Sequence, residues 1–163
     1  MTIQSDNFQT LSKDKMEFIR RIITDKQLTK CLLSNSTSFL DYEFSEQEIN
    51  NLVWNQIFPF CYVVDPAQEA KSYITMSFQY NKSSIWKIGT VTFNLFCHKD
   101  IVKTDYGVLR YDFMLQRLQE LIHNTKYETW LGRIECIGIK DMLVDDEGKY
   151  VGLIAQYKNT EFM

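Results

Sequence analysis

The apolar residues of this chain alternate with a period of two from Tyr73 to Cys97, change to a period of 3.6 after Asp105, and alternate again from Arg133 to Lys158. Alternation gives a pleated strand one apolar face, and the longer period gives a helix one apolar stripe. Strand, strand, helix, strand, strand in that order can bury its faces only by laying the helix on a sheet. Ile74, Met76, Phe78 and Tyr80 share one face of the first strand, opposite Tyr73, Thr75, Ser77 and Gln79. Asn81 to Ser84 reads as a hairpin loop, and the next strand sets Val91, Phe93, Leu95 and Cys97 against Thr90, Thr92, Asn94 and Phe96. Trp86 and Ile88 have the opposite parity, so Gly89 is predicted to be a bulge. The helical stripe is Tyr111, Met114, Leu115, Leu118, Leu121 and Ile122, with Arg110, Arg117, Gln119 and Glu120 away from it. Arg133 to Ile139 and Tyr150 to Lys158 close the sheet through an Asp145-Asp146-Glu147-Gly148 turn.

Upstream, Met16, Ile19, Ile22 and Ile23 predict an amphipathic helix within residues 12–33, and Thr24 with Gln27 has the spacing of a capping box at which it restarts. Residues 1–10 are polar and expected to be loosely held unless a partner orders them. A second capping box, Ser45 with Glu48, opens a short helix carrying Ile49, Leu52 and Val53. Pro59 biases Phe58 toward extended backbone, the chain runs extended to Val64, and Asp65-Pro66 turns it. The expectation is a single α+β domain over residues 1–163. Its core, residues 73–158, is an antiparallel or mixed sheet of four or more strands on one long amphipathic helix, with additional N-terminal helices.

A chain of 163 residues suits one core, and 11 Phe, 9 Tyr and 3 Trp supply it, with some rings available for contacts. A net charge of −3 argues against affinity built on wrapping a phosphate backbone. No apolar run approaches the roughly 20 residues of a membrane span, and the N-terminus lacks a signal-peptide core. Cys31, Cys61, Cys97 and Cys136 sit among apolar neighbours without a Cys-x-x-Cys, as reduced, buried thiols do.

Few residues suggest chemistry. Asp145 with Asp146 and Glu46 with Glu48 read as solvated acids, His123 as a cation at a helix C-terminus, and Lys99, Lys103 and Lys126 as loop lysines or phosphate contacts. Arg110 and Asp112 pair charges locally or across a subunit boundary. The glycines form no nucleotide-binding pattern, and no metal or other cofactor is expected. The chain is therefore expected not to be an enzyme; a small enzyme would have to use Cys97 and His98.

Several strings, in order, carry a resemblance. Ile57-Phe58-Pro59-Phe60 precedes the Pro66 turn, and Thr90 to His98 forms a strand. Lys103-Thr104-Asp105-Tyr106-Gly107 leads into Arg110-Tyr111-Asp112, and Tyr150-Val151-Gly152-Leu153 through Tyr157 is followed by Glu161-Phe162. From about Asp14 to Phe162 the chain resembles the small head–tail joining proteins of tailed bacteriophages, of the tail-terminator (tail-completion) type found in phages and prophages of Gram-positive hosts. The resemblance implies a virion protein, assembled in the host cytoplasm, that forms a homo-oligomeric ring, a hexamer. The ring caps the tail tube protein and docks on the head–tail connector or neck proteins, while DNA passes through the lumen without specific binding and no membrane is involved. It places candidate subunit contacts at Phe96, His98, Lys99, Lys103, Asp105, Tyr106, Arg110 and Asp112, with the N-terminal helix on the outer wall. The region before Phe44 is longer than a minimal terminator needs and leaves room for a neck, collar or head-completion role against the portal adaptor. A ring would also use up exposed sheet edges. A nucleic-acid-binding adaptor is a third reading and requires salt-sensitive DNA affinity.

Overall fold

The computed structural model describes residues 4–65, 67–82, 86–123 and 133–162. Helices α1 (Gln4–Thr24) and α2 (Lys26–Leu33) lead into a short 3-10 turn, Phe39–Asp41, and helix α3 (Glu46–Asn50). Strands β1 (Ile57–Phe58), β2 (Ser72–Lys82) and β3 (Trp86–His98) follow. A 3-10 turn at Lys99–Ile101, helix α4 (Arg110–His123) and strands β4 (Glu135–Leu143) and β5 (Tyr150–Phe162) complete the chain. The sheet is mixed and five-stranded in the order β1-β2-β3-β5-β4, with β1 parallel to β2 and every other pair antiparallel.

Helix α1 begins at Gln4, ahead of the predicted start, and from Ser12 onward its buried residues are Asp14, Phe18, Ile19 and Ile22. Met16, expected inside, is half exposed. The predicted restart is present, but Asp25 makes it: extended at φ −79°, it accepts the Leu28 amide at 2.8 Å and caps α2. Thr24 instead donates to Arg21 O within α1. Asp25 also holds Arg117 of α4, Oδ2 to Nη2 at 2.5 Å, so one carboxylate caps one helix and clamps another to it. The Ser45–Glu48 capping box is formed as predicted, a feature contributing about 1 kcal/mol.

The helices lie on one face of the sheet. Phe18, Ile22, Leu28, Leu32, Phe113, Met114, Leu118 and Ile122 pack there on Ile74, Met76, Val91, Phe93, Leu95, Leu153, Ala155 and Tyr157. This is the face assigned from alternation. The other face carries a smaller core at one end, where Phe58 and Val64 cover Tyr73, Phe96 and Tyr150. Strand β1 was not predicted as a strand, because two residues carry no periodicity. Strand β3 pairs without interruption through Gly89, opposite Tyr80 and Asn159, so the bulge expected there is absent. The irregularity lies in β4, between Cys136 and Gly138. The predicted loop at Asn81–Ser84 starts inside β2, and residues 83–85, like Pro66 and Lys126, lie outside the described residues.

Two thiols follow the sequence expectation and two depart from it. Cys31 and Cys97 are buried, and burial pushes both up to about 12, whereas Cys61 and Cys136 are exposed. A thiol-reactive dye should label two cysteines of the native protein promptly and the other two only after unfolding. Prompt labelling of all four would contradict this core.

Candidate functional site

The resemblance pointed to the connection between β3 and α4, and the structure divides its residues into two groups. Lys99, Lys103, Asp105 and Tyr106 lie on the surface of that connection. His98 caps the Lys99–Ile101 turn by accepting the Asp100 amide at Nδ1, 3.3 Å, and its ring meets Tyr150 edge-on at 5.2 Å. Asp105 accepts from Thr37 Oγ1 at 3.0 Å and donates its own amide to Thr37 O. Tyr106 accepts the Leu40 amide at its hydroxyl, 2.9 Å, and packs edge-on to Phe39. Gly107, at φ +76°, makes the turn that delivers the chain into α4.

Phe96 and Arg110 are inside the subunit, 1% and 0% exposed, and not on its surface. Phe96 stacks on Tyr73 in the smaller core. Arg110 is a correction of larger consequence. As the first residue of α4 its side chain runs back past the helix start. There Nε donates to Ile101 O at 2.6 Å, Nη1 to Cys31 O and Ser34 O at 2.9 and 2.7 Å, and Nη2 to Ser36 O at 2.7 Å. The guanidinium also lies over the Phe39 ring at 4.9 Å. It therefore satisfies the carbonyl end of α2, where a cation is favoured by the helix dipole. Its partners are main-chain oxygens, so it takes no part in the Asp112 pairing considered from sequence.

Asp112 faces a different way. Burial first, and the nearby Asp141 carboxylate of β4 second, raise its pKa above the ordinary aspartate value. The two acids make a locally negative spot where α4 meets β4.

Cys97 and His98 do not form one site. Adjacent residues of a strand point to opposite faces, and Cys97 enters the core while His98 lies by Tyr150. Among the described residues no group of three or more His, Cys, Asp or Glu is placed to hold a metal. No described helix is long and apolar enough to cross a membrane.

What the local patterns did not reveal is the condition of the sheet edges. Strand β4 has β5 on one side and, among the described residues, no pairing partner on the other. All its residues except Met142 are exposed, including Ile137, Ile139 and the nearly open Leu143 at 72%. At the opposite edge β1 covers β2 only at Ile74 and Thr75. From Met76 onward the outer side of β2 is open among the described residues. A long edge with exposed apolar side chains is a template for another strand, and monomeric proteins normally blunt it. The bulge beside Gly138 and the charge of Lys140 do this only in part.

A second exposed apolar group lies before β2. Trp54 and Phe60 stack at 5.9 Å with 56% and 45% of their surfaces open, beside the stacked pair Phe58 and Tyr62. Trp54 sits at φ +70°, a region bulky residues seldom adopt.

Comparison with curated proteins and with solved structures finds no match. Residues 25–159, more than four-fifths of the chain and everything from the Asp25 cap to the core end of β5, match the YomW family, a phage-like family of the SPbeta-prophage type. The chain therefore belongs to the YomW family and is a phage-associated protein.

Proposed function

We propose that this protein is a structural component of a tailed-phage particle, which assembles with copies of itself into a ring that terminates the tail tube and joins it to the head connector. The observation that carries the reading is a sheet that, among the described residues, is open along both edges, with Ile137, Ile139 and Leu143 exposed on one of them. Membership of a phage-associated family and the order of the strings from Ile57 to Phe162 support it. Each copy adds a net charge of −3, so a lumen lined by such subunits repels DNA more than it holds it. The structural role assigns no chemistry to Cys97 or His98.

Purified protein added to tail tubes should appear by electron microscopy as a cap at one tube end, and light scattering should report a closed oligomer on the tubes or at high concentration. A protein that stays monomeric and binds no tube end would remove the terminator reading. Density at the head side of the neck would favour a neck or collar role; α1, which lies ahead of the matched segment yet supplies Phe18, Ile19 and Ile22 to the core, is the feature that favours it.

A further inference from the structure

We infer that β4 of one copy pairs, antiparallel and head to tail, with the open part of β2 of a second copy, so that the sheet continues from subunit to subunit. The inference rests on the ring reading only for the premise that the chain self-associates.

Because β2, β3, β5 and β4 alternate in direction along the sheet, β4 runs opposite to β2. A second copy set beside the first in the same orientation therefore presents its β2 antiparallel to β4, with the helices of both copies on one face. The new pair is the more stable kind of ladder.

Side-chain chemistry agrees face by face. On the helix-bearing face β4 offers Ile139, Asp141 and Leu143, and β2 offers Phe78 and Tyr80. Apolar meets apolar where each subunit leaves these groups part or fully exposed. On the other face Lys140 and Met142 meet Ser77, Gln79 and Asn81.

Charge selects head to tail over the alternative twofold pairing of β4 with β4. The helix side of β4 carries the Asp112 and Asp141 carboxylates. The helix side of β2 carries Lys15, whose ammonium lies 5.5 Å above the Phe78 ring, while the buried Asp14 nearby accepts from the Tyr80 hydroxyl. A twofold seam brings two acidic pairs together, while the head-to-tail seam sets acid against base.

Disulfide trapping tests this. In a Cys61→Ala, Cys136→Ala background, Lys140→Cys is mixed with Ser77→Cys, Gln79→Cys or Asn81→Cys and oxidised, both free and on tail tubes. All four positions share the face away from the helices, so at least one mixture should give disulfide dimers that no single variant gives alone. Asp141→Lys should weaken self-association roughly tenfold, and Lys15→Asp added to it should restore most of that. Dimers from Lys140→Cys alone would mean a β4–β4 seam and overturn the inference. Oligomers without any trapped pair would overturn it while leaving the ring reading intact. Monomers that also fail to bind tubes would overturn both. Unchanged thermal unfolding of each variant separates these outcomes from loss of fold.

Discussion

Gly152→Ala is expected to destabilise the protein by about 3–4 kcal/mol, a large share of the roughly 5–15 kcal/mol that holds a domain together. Gly152 lies in β5 opposite Phe96 of β3. A Cβ built there would stand 2.2 Å from Leu95 O, 2.5 Å from Phe96 Cβ and 2.6 Å from Phe96 Cα. These atoms belong to the backbone, or are bonded directly to it, of a strand paired on both sides, so they cannot swing aside as a side-chain tip can. Relief requires β3 and β5 to part at the point where Phe96 closes the smaller core with Tyr73 and Tyr150. The control is Gly138→Ala on β4, where a Cβ meets nothing within 4 Å and the change should stay within about 0.5 kcal/mol. Urea unfolding of the two variants checks the contrast. Equal midpoints would mean that the strands are not this close.

Arg110→Ala should cost a similar amount, about 3–5 kcal/mol, for a different reason. It overpacks nothing. It leaves the carbonyls of Cys31, Ser34, Ser36 and Ile101 without the donors they have now, and it opens a cavity under Phe39. Arg110→Lys keeps the charge but replaces a planar fork with a single ammonium, which cannot reach four oxygens on two separate stretches of chain, so it should recover only part of the loss. Amide exchange would localise the effect, with protection falling at residues 31–36 before the sheet responds. A change below 1 kcal/mol in Arg110→Ala would refute the assignment.

Most of the scaffold was legible in the sequence for reasons these residues make plain. Ile74, Met76, Val91, Phe93 and Leu95 obey alternation because one sheet face is buried along its length, and Ser45 with Glu48 announces its helix because a capping box is a local device. Arg110 was misread because its partners come from residues 31–36, and local periodicity assigns an arginine beside an apolar stripe to solvent. The resemblance, mapped by position, puts Phe96 among the subunit contacts, but the polar face of β3 is covered at one end by Phe58 and Val64, which come from far earlier in the chain. The candidate site was the less legible part. Ile137 and Ile139 look like core in a closing strand, and only the order β3-β5-β4 shows that β4 is outermost among the described strands, with both side chains exposed. Strand order is a property of the whole sheet, which no window of residues contains.

The Arg110 contacts also set a timetable. Cys31 precedes Arg110 by 79 residues. At roughly 5–20 residues per second, a ribosome needs on the order of 4–16 s to make the intervening chain. Throughout that interval the carbonyls of Cys31, Ser34 and Ser36 lack the donor they have in the finished fold. The N-terminal helices of the nascent chain thus gain their closing donor only after β2 and β3 have been made, so the hairpin is available as a docking surface before α2 is locked in place.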